Sequence, residues 1–312
     1  MDVQGWKIAA YDGLRVSRIS GGTRKGTALP LVSIILPTIG RSSLRYAIQT
    51  ILSYNYPRFE LLVISDTHRR GSAIARNLGL RLAGGDLVHF AEDDCTYMRS
   101  NLHVLTKAYL GAQRTDPRCA GIVGSFLPAV WGSLAVMIRL STPRKGLIVD
   151  VARGEGRTEY LATGNALCSR ESILACGGFN ERFSHMFEDL ELSLVLKKSG
   201  LRLYNCARAV AEHGNESRLE KYPKHILRRT TYLRSRNSIL IQKTWCGNPL
   251  NYATRRILRD LHASIQHLQA GHDPSIRSGR VDEKEPLFDR ISYLLGVIAG
   301  LTSGTARQTI KG

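Results

Sequence analysis

Acidic residues are what this sequence has little of. Its 26 Asp and Glu stand against 44 Lys and Arg, a formal net charge of +18, so its surface should attract polyanions: nucleic acid, anionic lipid headgroups or phosphorylated substrates. Paired cysteines are missing as well. Cys95, Cys119, Cys168, Cys176, Cys206 and Cys246 are scattered, with no C-x-x-C pair and no histidine at zinc-finger spacing. That argues against a disulfide framework and fits reduced, mostly buried thiols of a cytoplasmic protein. The first thirty residues contain no apolar core of a signal peptide, so no secretory signal is expected. There is no internal repeat and no recognisable nucleic-acid-binding motif, which weighs against a specific nucleic-acid partner despite the charge. Residues 119–138 carry no charge and match a bilayer span in length. Pro128 and the neighbouring Gly and Ser residues favour a buried strand followed by an apolar surface element there, with membrane contact as the lesser reading.

What is present is an ordinary globular composition, 43% hydrophobic and 22% charged over 312 residues, enough for one large domain plus a helical appendage. Residues 1–30 show no clear period and contain a glycine-rich basic linker from Gly21 to Gly26. An α/β domain is expected over 31–215. Apolar runs at Leu31–Leu36, Phe59–Ile64 and Leu87–Phe90 alternate with helical periods over 44–52 and 72–82, the pattern of a mostly parallel sheet flanked by helices. Further helices are expected over 102–112, 171–175 and 187–198. Strands are expected at Ala120–Val123, Tyr160–Leu167 and Leu201–Ala211, with loop or irregular strands at 141–157. Residues 216–312 read as a basic, helical C-terminal region, with arginines at 228, 229, 234 and 236, a linker at 271–286 and a last helix over 287–301. That helix carries Leu287, Ile291, Leu294, Leu295 and Ile298 on one face, suited to packing on the domain or lying in a membrane interface.

The chemistry gathers at Asp86–Asp94, DLVHFAEDD. A short buried strand delivers Glu92, Asp93 and Asp94 at its C-terminal end, where ligands bind in open α/β sheets. Three adjacent carboxylates repel one another unless a cation or hydrogen-bond donors compensate, and carboxylate oxygens suit Mg²⁺ and Mn²⁺. A second acidic pair, Glu188-Asp189, opens a helix, where acids also simply favour the helix dipole.

In order and flanks, VSIILPTIGR, VISD, ARNLGLRLAGGDLVHFAEDD, TGNALCSRESILACGGFNERF and FEDLELSL resemble the family 2 glycosyltransferases of the GT-A (Rossmann-like) fold. The resemblance covers about residues 31–213. It implies an inverting transferase of the hexosyltransferase type, moving a sugar from a UDP-, GDP- or dTDP-sugar to an acceptor hydroxyl with the help of Mn²⁺ or Mg²⁺. Residue by residue, it implies nucleotide contacts for Pro37, Thr38, Asp66, Arg76 and Asp93, with Asp93 at the ribose. Asp94 would bind the metal, with His213 and Glu92 as further ligands. Gly164, Asn165 and Glu188 would line the donor and acceptor pocket, and Asp189 would be the general base. The sequence departs from the family at Ile39-Gly40, Ser65 and Thr67–Arg70, which leaves the nucleobase open. The C-terminal tail resembles those of members that act on lipid-linked acceptors, implying a sugar, lipid-linked or glycan acceptor and a place at the inner face of the cell membrane. The competing readings are a sugar nucleotidyltransferase, for which Thr38–Ser42 is a poor phosphate loop, and a non-enzymatic basic nucleic-acid-binding protein.

Overall fold

Continuous apolar strands set the centre of the fold. The computed structural model describes residues 6–11, 13–21, 28–127, 134–140, 147–153, 155–213, 224–247, 249–255 and 286–304. Its strands are β1 (Lys7–Tyr11), β2 (Leu14–Gly21), β3 (Val32–Thr38), β4 (Phe59–Ser65), β5 (Leu87–Ala91), β6 (Cys95–Tyr97), β7 (Cys119–Leu127), β8 (Leu134–Leu140), β9 (Leu147–Arg153), β10 (Gly156–Thr158), β11 (Asn165–Ser169) and β12 (Arg202–His213). The helices that accompany them are α1 (Leu44–Leu52), α2 (Ser72–Leu82), α3 (Asn101–Thr115), α4 (Arg170–Ala175) and α5 (Glu188–Lys198).

Ten strands make one sheet in the order β1-β2-β4-β3-β5-β11-β7-β12-β10, with β6 paired to β12 off this path. The expected parallel character holds for β4-β3-β5 and for β7 beside β12. The other pairings are antiparallel, so the sheet is mixed. Successive side chains in a strand point to opposite faces, and both faces are apolar. Ile35, Leu62, Ile64, Val88 and Phe90 share a core with Ala73 and Leu78 of α2, Ile173 of α4 and Leu192 of α5. Ile34, Leu36, Leu61, Val63 and Leu87 share the other with Ala47 and Ile51 of α1 and Leu102 and Leu105 of α3. Continuous apolar runs are therefore what two covered faces require.

Two stretches differ from the sequence reading. Within residues 7–21, which show no clear period in the sequence, lie β1 and β2, and β2 joins the sheet antiparallel to β4. Only Leu14 and Val16 are deeply buried there, so the apolar period is too short to register against the intervening arginines. The strand expected from Tyr160 starts only at Asn165. Residues 160–164 form a loop instead, because the Leu161 amide donates to Ser193 Oγ of α5 at 2.9 Å rather than to a neighbouring strand. The expected linkers at 22–26 and 271–285 lie outside the described residues.

The chain divides into two compact units, the second being 139–148 with 222–306. Within the second, α6 (Lys224–Ile241) runs into one π-helical turn at Gln242–Cys246. The last helix, Pro286–Thr302, packs on α6 through glycines: a Cβ on Gly296 would strike the Tyr232 carbonyl and Ser235, and one on Gly300 the Arg236 carbonyl and Ile239. Lys243 Nζ donates to the Leu301 and Ser303 carbonyls at 2.6 and 2.8 Å, closing the helix end. The glycine face is buried and Leu294, Leu295 and Ile298 are exposed. Among the described residues no helix is long and apolar enough to cross a membrane.

Candidate active site

The acidic turn owes its shape to strand pairing on both sides of it. β5 ends at Ala91, Glu92–Asp94 turn the chain, and β6 then pairs antiparallel with the end of β12, in the register His213 to Cys95. That register carries His213 to the carboxylates. His213 Nε2 lies 3.7 Å from Glu92 Oε2 and 3.7 Å from Asp94 Oδ1. Glu92, Asp94, Cys95 and His213 offer ligand atoms within 4.8 Å of one another. Cys95 belongs to the core, where burial and the neighbouring carboxylates Glu92 and Asp94 push its thiol up. The oxygens of Glu92 and Asp94 and the imidazole of His213 are a donor set that suits Mn²⁺. Asp94 Oδ1 is buried with no hydrogen-bond partner, a state costly for a carboxylate and relieved by a cation.

Two arginines and Thr38 divide the remaining carboxylate oxygens of the turn. Arg41 Nη1 donates to Asp93 Oδ1 at 3.0 Å and to Asp94 Oδ2 at 2.8 Å. Thr38 Oγ1 donates to Asp93 Oδ2 at 2.6 Å. Burial still raises Asp93 to about 6, against the lowering by Arg41 and Thr38. Arg76, buried on α2, donates to Glu188 Oε1 at 2.7 Å and to Glu92 Oε1 at 3.1 Å. For Glu92, burial acts upward but is outweighed by His213, Arg76 and Arg41, leaving it at about 2. Arg76 therefore joins the two acidic motifs, far apart in sequence, into one site.

The second motif is presented by unusual backbone. Met186 and Phe187 both sit in the left-handed region, at φ 69° and 68°, immediately before Glu188. For non-glycine residues this costs about 1–3 kcal/mol each and concentrates at functional sites. Glu188 is buried, accepting from Ser72 Oγ at 2.6 Å as well as from Arg76. Asp189 accepts from the Tyr160 hydroxyl and, at 2.7 Å, from the Leu190 amide. Burial pushes Asp189 up to about 7, with the Glu188 charge adding to it and Tyr160 and Arg76 opposing. A carboxylate poised there can accept a proton near neutral pH.

The other expected site residues divide. Gly164 lies under the cluster, where a Cβ would meet Glu92 Oε2 at 3.0 Å, and Tyr97 ties its carbonyl to the turn. Asn165 is fully buried, with its amide nitrogen donating to the Ser125 and Ala209 carbonyls and its oxygen accepting from Asn101; its side chain ties strands together inside the sheet. Asp66, 3% exposed, accepts from the amides of Arg70 and Gly71 at 2.9 and 2.7 Å and braces the loop into α2. Pro37 sits in the β3–β4 ladder beside Thr38. Sequence reading missed Arg41 and Tyr160. Arg41 lay in a loop weighed only as a phosphate binder, and Tyr160 at the start of an expected strand.

A mixed sheet with covered faces, an acidic turn at the end of its central strand and a second acid pair opening a facing helix define the fold of the GT-A glycosyltransferases. A crystal structure of GalNAc-T7 with UDP, GalNAc and Mn²⁺ aligns at a TM-score of 0.54 and 12% identity, covering 73% of this chain and 51% of that one. A mannosyltransferase of Pyrobaculum calidifontis in complex with GDP-Man and Mn²⁺ aligns at 0.49 and 17% identity, covering 88% and 87%. In sequence, the chain is 27% identical over 169 residues to the pre-mycofactocin glycosyltransferase of Mycobacterium tuberculosis (strain CDC 1551 / Oshkosh), 52% of this chain and 34% of the relative. It thus spans about a third of the length of the curated relatives it matches. No family model matches the chain.

Proposed function

We propose that the protein is an inverting glycosyltransferase that moves a sugar from a nucleoside-diphosphate sugar to an acceptor hydroxyl. The observation that carries this reading is the joining of the two acidic motifs by Arg76: one offers a cation site, the other a carboxylate raised to about 7. Asp93, held by Thr38 and Arg41, would meet the ribose, and Pro37, Thr38 and Asp66 would form the wall near the base. Glu92, Asp94 and His213 are the residues that would hold Mn²⁺ or Mg²⁺, whose chemistry there is to offset charge developing on the leaving diphosphate. Asp189 takes the proton of the acceptor hydroxyl as its oxygen bonds to the anomeric carbon. The bond from that carbon to the diphosphate oxygen breaks with its electron pair, and attack from the opposite face inverts the centre. The Tyr160 hydroxyl orients Asp189, and Gly164 and Glu188 border the pocket between the two motifs. Asn165 acts from beneath, by fixing the strand that follows Gly164.

The net charge of +18 and the exposed Leu294, Leu295 and Ile298 support a peripheral place on an anionic membrane, at the cytoplasmic face, with a lipid-linked or glycan acceptor. A thermal-shift screen of UDP-, GDP- and dTDP-sugars with and without Mn²⁺ tests the reading. One nucleotide should raise the melting temperature, and only with the metal, in the wild type but not in Asp94→Ala. Stabilisation by none, or equally in the variant, would remove the reading's basis.

A further inference from the structure

We propose that Arg41 is a built-in counter-cation that makes binding of the divalent cation depend on the donor diphosphate. The inference rests on the cation site described above and gives a role to Arg41, the last residue of VSIILPTIGR, which the ligand set does not contain. Arg41 places a single nitrogen, Nη1, between Asp93 Oδ1 and Asp94 Oδ2 at 3.0 and 2.8 Å. Its side chain is 23% exposed and those of the two aspartates 6% and 13%, so these ion pairs are screened less than surface pairs would be.

Two consequences follow from that position. The first is geometric: with Oδ2 of Asp94 taken by Arg41, the other oxygen, Oδ1, is the one turned toward His213 and left without a hydrogen-bond partner. Arg41 thereby selects which oxygen faces the candidate ligands. The second is electrostatic. A fixed positive charge on the same carboxylate repels an incoming dication and has already neutralised part of the negative charge that would draw it in. Arg76 does the same from the other side, on Glu92. The carboxylates thus meet the cation largely paired, and the site by itself is a weak one. A nucleoside diphosphate brings negative charge to the same place. It offsets Arg41 and supplies oxygens to the cation, so diphosphate and cation each strengthen the other's binding, as linkage requires.

The test is Mn²⁺ titration of the full chain, followed by the loss of the free-ion paramagnetic resonance signal, with and without UDP, GDP or dTDP. In the wild type, one diphosphate should tighten Mn²⁺ binding by about tenfold or more. Arg41→Met should bind Mn²⁺ alone about tenfold more tightly than the wild type, with the gain from the diphosphate reduced. Arg41→Lys, which keeps the charge, should stay close to the wild type. Circular dichroism checks folding, and Arg41→Gln replaces Arg41→Met if the latter does not fold. Unchanged or weaker Mn²⁺ binding in the neutral variants, with Asp94→Asn still abolishing it, overturns the role of Arg41 alone. Mn²⁺ binding that Asp94→Asn leaves intact, or no Mn²⁺ binding under any condition, overturns the cation site and this inference together.

Discussion

At the scale of single residues, the carboxylates are separated by what surrounds them rather than by their chemistry. Glu92 is held at about 2 because His213 and two arginines outweigh its burial. Asp189, whose burial is opposed by a tyrosine hydroxyl and a more distant arginine, rises to about 7. One acid stays charged and the other can take up a proton, the division of labour that transfer requires. The pH dependence follows with a definite sign. Asp189 must be unprotonated to act as base, so the transfer rate should climb as pH rises through about 7. The Tyr160 hydroxyl stabilises the charged form, so Tyr160→Phe should shift that limb to higher pH, whereas Asp189→Asn should cut the rate by about 10²–10⁴ with donor binding retained. A rate profile for the three proteins decides this; an unmoved limb in Tyr160→Phe would deny the pairing its role. Asp93 and Asp94 were legible in the sequence as acids after a strand, but Arg41 was not. A lone arginine in a loop looks solvated until the fold brings it to the carboxylates.

At the scale of elements, α2 and α5 are locked together over the site. Gly71, at φ 134°, precedes α2 because a Cβ there would collide with the Ser184 backbone. Ser72 and Arg76, one turn apart on α2, both reach Glu188 at the start of α5. Acids open α5 and Lys197 and Lys198 close it, in line with the helix dipole. Arg76→Met would leave Glu188 and Glu92 facing each other without their shared cation, a loss of about 3–5 kcal/mol for a buried pair broken on one side. The melting temperature should fall by several degrees, measured by calorimetry, and Mn²⁺ should recover part of it through Glu92. The helix expected over about 72–82 is formed by Ser72–Leu82. β1 and β2 were not legible in the sequence, because they bury only Leu14 and Val16 deeply and a two-residue apolar signal is lost among charges. Tyr160 was misassigned for a related reason: its flanking residues have strand propensity, but the hydrogen bond from Leu161 to α5 prevails over it.

At the scale of the whole molecule, the sheet was legible wherever both of its faces are covered, since continuous apolar runs admit few other readings. Its mixed direction was not legible, because antiparallel β11 inserts between β5 and β7 and carries the same apolar pattern as a parallel strand. The partnership of the two acidic motifs depends on Arg76, and no local pattern announces it. The central claim is that this partnership transfers sugar, and it is tested most directly by following nucleoside diphosphate release and product formation from the nucleotide sugar that stabilises the protein. The account predicts transfer with Mn²⁺ present, lost in Asp94→Ala together with metal-dependent donor binding, and lost in Asp189→Asn while donor binding persists. Full transfer by Asp189→Asn, or release of pyrophosphate from a nucleoside triphosphate in place of transfer, would contradict it.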